Sequence, residues 1–442
     1  MAPLFSRFRN NKVYPLVRDI GSTLYLRILG AILTFAFTAF LARILGAEGA
    51  GYYFFAFSAA MFLSTIAKAG LDNAIPRFAS IEFGRDNWSG LRVLYKRVIA
   101  FVLYSSMVMS VAAMTFSYLW VDRNSNESGQ ISLYYAMSLS IVPLTLMAVN
   151  SEFLRSVSDV KGSVLVSSVI HMAVAIVLLA PLVYAYGAVG AGFAFLAATI
   201  GSALIAFRRW SRQLSGYPET GSGFTLEPVI ASARHYFLIS LTGQAIVPYA
   251  PAILVGFLGS HEDVAIYSVA ARICMIVGLL QFAANIVIAP RFAGLFDRSD
   301  FEGLEHVAKS SSVIITCAAA PILLVFALFS PEVMSIFGHE FRDGAGVLLI
   351  LLLGQLINVA TGSVGTLLMM TGYEEHLGRL TLISAVLLLL VCVLTIPSYG
   401  AVGAAIGATS SLAFLNAGAL WLAERKLGIQ ASIVPRFRRR RN

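Results

Sequence analysis

Tyr186-Gly187-Ala188-Val189-Gly190-Ala191 returns unchanged as Tyr399-Gly400-Ala401-Val402-Gly403-Ala404, 213 residues further along the chain. Pro76-Arg77-Phe78-Ala79 returns as Pro290-Arg291-Phe292-Ala293 at an offset of 214, where Tyr53, Ala56, Ala69 and Asp86 also match Tyr267, Ala270, Ala283 and Asp300. Two separate segments at nearly one offset mark an internal duplication. The fold is therefore one structural unit of about half the chain, used twice.

What that unit contains follows from hydropathy. The chain is 58% hydrophobic and only 12% charged, against roughly a quarter charged in an ordinary soluble protein. Apolar runs fall near 21–42, 52–68, 98–119, 131–150, 162–184 and 186–207, then near 236–257, 266–289, 310–330, 345–371, 380–396 and 401–423. Each is about the length needed to cross a hydrocarbon layer of ~30 Å as a helix. None shows the alternation of a barrel strand, and a bilayer leaves no water for unpaired backbone groups, so helices are expected. The first run is too long and too Arg-flanked for a cleaved signal peptide. The expected fold is an all-α integral membrane protein of about twelve transmembrane helices, in two parallel six-helix repeats around a central cavity. An even number of spans per repeat relates the halves by an axis along the membrane normal, and such bundles can rock to give alternating access. The expected domains are 1–207, a cytoplasmic linker at 208–235 rich in Gly, Ser and Pro, a second bundle at 236–424, and a basic tail at 425–442.

Orientation comes from Lys and Arg. With the N-terminus in the cytoplasm, 26 of the 32 basic residues lie inside, and only Arg43, Arg123 and Arg342 lie outside. The net charge of +9 is thus mostly topological. The Arg438–Arg441 run reads as an anchor beside anionic headgroups rather than a nucleic-acid contact. Cys274, Cys317 and Cys392 have no paired spacing and suggest neither a disulfide framework nor a zinc site.

The remaining charges point to a cargo. No Asp or Glu falls within the twelve runs, but Arg27, Lys68 and Arg272 do. Such residues are costly in hydrocarbon unless they function or snorkel. Lys68, at the cytoplasmic end of its run, reads first as snorkelling. Arg27 lies about 9 Å deep at ~1.5 Å per residue, and both it and Arg272 admit a cavity role or snorkelling. If they line a cavity, the unbalanced positive charge predicts a phosphate or pyrophosphate ligand held by guanidinium forks. Gln244, Gln281, Asn285, Gln355 and Asn358 could meet sugar hydroxyls, with interhelical hydrogen bonding as the plainer role. Pro248 and Pro251 should kink or unwind the seventh helix, and Pro143 and Pro321 invite the same reading. There is no G-x-x-x-x-G-K-[ST] loop for nucleotide hydrolysis. No cofactor is expected, and energy would come from an H+ or Na+ gradient, the membrane potential or the substrate gradient. His171 reads as a packed core histidine. Asn126-Glu127-Ser128 matches a glycosylation sequon, a match read as noise.

Leu41-Ala42-Arg43-Ile44-Leu45-Gly46-Ala47-Glu48-Gly49-Ala50-Gly51-Tyr52 resembles a signature of bacterial polysaccharide-transporter flippases. Ala265–Arg272 continuing to Pro290-Arg291, and Phe337–Phe341 running to Met370–Gly372, resemble the same family. The resemblance covers about residues 15 to 425. It implies a member of the multidrug/oligosaccharidyl-lipid/polysaccharide exporter superfamily. Such a protein would sit in the bacterial inner membrane with both termini cytoplasmic. It would flip undecaprenyl-pyrophosphate-linked oligosaccharide for O-antigen, lipopolysaccharide or exopolysaccharide synthesis, beside a polysaccharide polymerase and chain-length machinery. Relatives that flip the peptidoglycan precursor carry cavity cations on helices 1, 2 and 8, which are the helices of Arg27, Lys68 and Arg272, but commonly have fourteen spans. A cation-coupled drug exporter of the superfamily would need acidic residues inside its spans. A membrane polysaccharide polymerase or ligase would need a long external loop.

Overall fold

The computed structural model describes residues 13–123, 130–215 and 227–430. The sequon, the Gly-rich middle of the linker and the Arg438–Arg441 run lie outside those residues. Among the described residues the chain is helical, without strands.

The first repeat comprises α1 (Val13–Lys68), α2 (Leu71–Gly84), α3 (Trp88–Arg123), α4 (Ile131–Ser156), α5 (Val160–Tyr186) and α6 (Ala188–Leu214). The second comprises α7 (227–258), α8 (His261–Asp297), α9 (Phe301–Leu328), the short α10 (Ser330–Ser335), α11 (Ala345–Thr361), the short α12 (Val364–Met370) and α13 (Glu374–Leu427). Ten helices among the described residues are long and apolar enough to cross a membrane. Two of them, of 48 and 54 residues, are each long enough for two passes at ~1.5 Å per residue. Each is broken by a positive-φ glycine, Gly46 in α1 (φ 68°) and Gly400 in α13 (φ 53°). Dividing them there gives the twelve passes expected.

The backbone repeats with the sequence. Gly187 (φ 59°, ψ −140°) ends α5, and Gly400 (φ 53°, ψ −127°) breaks α13 with nearly the same dihedrals. Side-chain-bearing residues rarely adopt that region. Three residues on, a Cβ at Gly190 would lie 1.9 Å from the carbonyl oxygen of Leu182, and one at Gly403 would lie 2.6 Å from the carbonyl carbon of Thr395. The Tyr-Gly-Ala-Val-Gly-Ala motif is thus a tight helical hairpin, used once per repeat. Further positive-φ pairs follow at Asp86 and Ser299, and at Ser158 and Gly372. Asn87 caps α3 through the Gly90 amide, and Asp300 caps α9 through the Gly303 amide. The residue equivalent to Asp300 is therefore Asn87, one place on from the sequence match with Asp86, because one fewer residue separates the PRFA motif from the helix end in the second repeat.

The chain forms two compact units. The first takes the chain through Leu41 and Ala59–Leu241, and the second takes Ala42–Ser58 and the chain from Thr242 onward. In the first, Tyr95, Phe153 and Trp210 pack with ring centroids 5.1–5.3 Å apart. The Tyr95 hydroxyl donates to Asn150 Oδ1 at 2.8 Å. The amphipathic α2 buries Leu71, Ala74, Ile75 and Ala79 against this core, while Arg77 faces outward. In α3, Phe101, Tyr104, Met107, Val108 and Val111 form an exposed apolar stripe, the lipid-facing surface of a multi-pass membrane protein.

The hairpin glycines give a graded test. Gly187→Ala should cost about 1–3 kcal/mol for the strained backbone alone, since its Cβ would meet nothing within 4 Å. Gly400→Ala should cost more, because its Cβ would also lie 2.5 Å from Asp263 Oδ2. Gly201→Ala, in open space within α6, should be neutral or slightly stabilising. Thermal unfolding midpoints in detergent should be highest for Gly201→Ala, lower for Gly187→Ala and lowest for Gly400→Ala.

Candidate functional site

Each unit places charged residues within its helices, by different means. In the first unit the arrangement starts from two close approaches. A Cβ at Gly30 would lie 2.7 Å from the Ser168 Cβ, so α1 presses against a π-helical turn of α5 at Leu165–Ile170, with Arg27 about one turn before. Further along α1, the hydroxyls of Ser64 and Thr145 meet at 2.9 Å in the core, bringing the end of α1 alongside α4. Lys68 follows one turn after Ser64, and Glu152 two turns after Thr145.

At Ala69 (φ 49°) and Gly70 (φ 79°) the chain breaks. A side chain at Gly70 would strike the Ala233 carbonyl oxygen at 2.4 Å and the Phe237 amide at 2.7 Å, so only glycine lets this bend dock on α7. The break turns Asp72 back onto Lys68, forming an ion pair at 3.0 Å with the side chains only 12% and 9% exposed. Ser240 Oγ donates to Asp72 Oδ1 at 3.4 Å, and Asn73 Nδ2 donates to Ser240 Oγ at 2.7 Å. Lys68 therefore does not snorkel. Glu152 pairs with Arg155 and also feels the charges of Asp72, Lys68 and Arg27. Arg27, Lys68, Arg155, Asp72 and Glu152 form one cluster carrying a net +1.

The sequence reading missed the acids of this cluster. The apolar run of α4 stops at 150, yet the helix continues through Ser156 and carries Glu152 with it. Asp72 lies just past the end of another run. The signals available were the spacings Lys68-x-x-x-Asp72 and Glu152-x-x-Arg155.

In the second unit Arg272 lies on α8. Its guanidinium carbon sits 4.5 Å from the Phe54 ring centroid and 5.1 Å from that of Phe57, cation–π distances that stabilise a desolvated cation. The rings are held by one another. Tyr53 stacks on Phe57 with centroids 6.1 Å apart and meets Phe54 edge-on at 5.6 Å, and Tyr249 meets Phe57 edge-on at 6.4 Å. Tyr53 and Tyr249 are thus the polar-tipped rings nearest the cation's aromatic seat.

Three of the five neutral candidates meet in a second network of this unit. Gln281 Nε2 donates to the Gly362 carbonyl at 3.1 Å, and Asn358 Nδ2 donates to Gln281 Oε1 at 2.6 Å. Asn358 Nδ2 lies 3.5 Å from Gln355 Oε1, while Asn416 and Thr361 extend the network. Gly362 (φ 68°) ends α11, so Gln281 serves the carbonyl of a helix end. Asn285 lies one turn beyond on α8, its buried Oδ1 without a hydrogen bond among the described residues. Gln244 is exposed, in a π-helical turn at Leu241–Ile246 that precedes Val247–Leu258. Pro248 cannot donate to the Gln244 carbonyl, and the widened turn absorbs that loss. The chain passes from the first unit to the second within this turn.

The Lys68–Asp72 pair yields a double-mutant cycle. Lys68→Met or Asp72→Leu alone leaves a charge without its partner and should cost about 3–5 kcal/mol, whereas the double variant should approach wild-type stability. Unfolding midpoints that instead add across the two single changes would show that the pair contributes no coupling.

The polysaccharide biosynthesis protein family profile matches residues 16–296, and the MatE profile matches residues 237–394. A probable low-salt glycan biosynthesis flippase from Haloferax volcanii, Agl15, is 23% identical over 398 residues, covering 87% of this chain and 79% of the relative. Among solved structures, the lipid II flippase MurJ in an inward closed conformation matches with a TM-score of 0.71 at 15% identity, covering 92% of this chain and 87% of the other. An inward-facing MATE family multidrug resistance transporter of the MOP superfamily matches with a TM-score of 0.69 at 18% identity, covering 92% and 98%. At these identities the two structures establish likeness of fold.

Proposed function

The chain belongs to the polysaccharide biosynthesis protein family, and from that membership we propose that it is a lipid-linked oligosaccharide flippase. It moves undecaprenyl-pyrophosphate-linked repeat units from the cytoplasmic to the periplasmic leaflet of a bacterial inner membrane by alternating access, supplying O-antigen or exopolysaccharide synthesis. The observation that supports this reading is the placing of cations among the helices of each unit. The first unit's cluster keeps a net +1 although it contains two carboxylates. The second holds Arg272 against phenylalanine faces, which stabilise the cation without neutralising it. A diphosphate is the ligand such guanidinium groups suit, since its oxygens accept paired N–H bonds. The amide groups of Gln355 and Asn358, and the open face of Gln244, are the candidates for sugar hydroxyls. The flippase named among the relatives agrees with this reading.

A second reading, a cation-coupled drug exporter, is favoured by the MatE match and by Asp72 and Glu152, the acidic residues such an exporter needs. Each of those carboxylates is already paired with a cation, which leaves the cluster ill suited to a cationic drug. The enzyme alternative, a membrane polymerase or ligase, lacks any such support: the relatives are a flippase and transporters.

Proteoliposomes loaded with a fluorescent undecaprenyl-pyrophosphate glycan distinguish these readings. Wild-type protein should expose the glycan to an external quencher. Arg27→Ala and Arg272→Ala should each slow exposure at least tenfold, and Arg272→Lys should fall between, because it keeps the charge and loses the fork. Normal rates in both alanine variants, or a glycan that stays in its leaflet while ethidium is exported, would overturn the proposal.

A further inference from the structure

The first unit contains a groove of about 260 Å³ that the transport reading does not use. Its walls are almost wholly apolar, built from Ala69, Leu71, Phe101 and Ile230 among others, and Arg97 and Arg234 complete its lining. Both arginines are exposed and have no carboxylate partner among the described residues. On α3, by contrast, Arg92 is committed to the Leu214 carbonyl at 2.7 Å. The orientation set by the basic residues puts Arg97 at the cytoplasmic headgroup level, and Phe101 lies one turn deeper on the same helix. Charge at the interface with an apolar slot beneath it matches the head-then-tail order of a lipid. Basic pockets between membrane helices on that side suit anionic headgroups.

We propose that this groove binds one anionic glycerophospholipid of the cytoplasmic leaflet, its phosphate between Arg97 and Arg234 and an acyl chain against Phe101 and Ile230. Two guanidinium groups without acids complement a net negative headgroup and give a zwitterionic one no advantage. The position also gives the lipid a structural consequence. Ala69 and Leu71 flank Gly70, the bend docked on Ala233 and Phe237, and that bend sets Lys68 against Asp72. A lipid seated there steadies the bend that positions the charged cluster. The site concerns lipid binding and stands independently of what the protein transports.

The test is native mass spectrometry of the delipidated full-length protein, titrated with phosphatidylglycerol or phosphatidylcholine. Wild-type protein should bind a first phosphatidylglycerol at least tenfold more tightly than phosphatidylcholine. Arg97→Ala/Arg234→Ala should abolish that preference, whereas Arg208→Ala/Arg212→Ala, with the same loss of charge on exposed residues of α6, should keep it. Ile230→Trp, which fills the slot, should weaken binding of the first phosphatidylglycerol at least fivefold with both arginines intact. Three results would overturn the proposal: a retained preference in the Arg97/Arg234 variant, an equal loss in the Arg208/Arg212 variant, or displacement of phosphatidylglycerol by equimolar undecaprenyl phosphate. Each is read from binding, so a failure of the flipping assay leaves this outcome unaffected.

Discussion

A helix in hydrocarbon can break only where something other than water takes over the freed backbone groups, and this chain breaks its helices repeatedly. At Gly46 the amide of Ala47 is accepted by Glu340 Oε2 at 2.6 Å. At Gly400 the amide of Ala401 is accepted by Asp263 Oδ1 at 3.1 Å. At Gly362 the freed carbonyl takes the Gln281 amide, while Ser312 and Thr316 donate to the carbonyls of Ala360 and Val359. Glycine supplies the conformation, and a polar side chain from another helix supplies the hydrogen bond. That pairing explains Glu340, Asp263, Gln281, Ser312 and Thr316 and ties together the helices they join.

The duplication and its failures carry different information. Where the repeats agree, as at Gly187 and Gly400, the shared feature is architectural: a glycine that only a tight hairpin requires. Where they disagree, charge appears. In the second repeat α8 runs unbroken through Ala283 and Ala284, whereas the equivalent stretch of the first repeat breaks at Ala69 and Gly70. That break allows Lys68 and Asp72 to face one another. At the same offset Arg272 corresponds to Ser58 and Lys68 to Phe282. The charges are thus departures from symmetry, each lying where the other repeat carries an uncharged residue.

This division explains what was legible in the sequence. Spans, repeat and hairpin glycines are properties of contiguous segments and could be read from composition and spacing. The cluster could not, because Arg27 and Glu152 are separated by 125 residues and no local pattern joins them. A search for acids inside apolar runs also fails by construction. Charged residues terminate such a run even where the helix continues, and the acids that matter sit one turn past the edge. Lys68 was misread for the same reason: a cation at the end of a run looks solvated until the next turn is found folded back against it.

The two units solve the problem of a buried cation in opposite ways, and the difference has chemical meaning. A carboxylate partner lowers the cost of burial but consumes the positive charge, as at Lys68. Aromatic faces lower the cost less and leave the charge in place, because the ring quadrupole attracts the cation without carrying a compensating charge. Arg272 is held by the second device, its rings braced by Tyr53 and Tyr249. In the first unit the surplus comes from number instead, three cations against two acids.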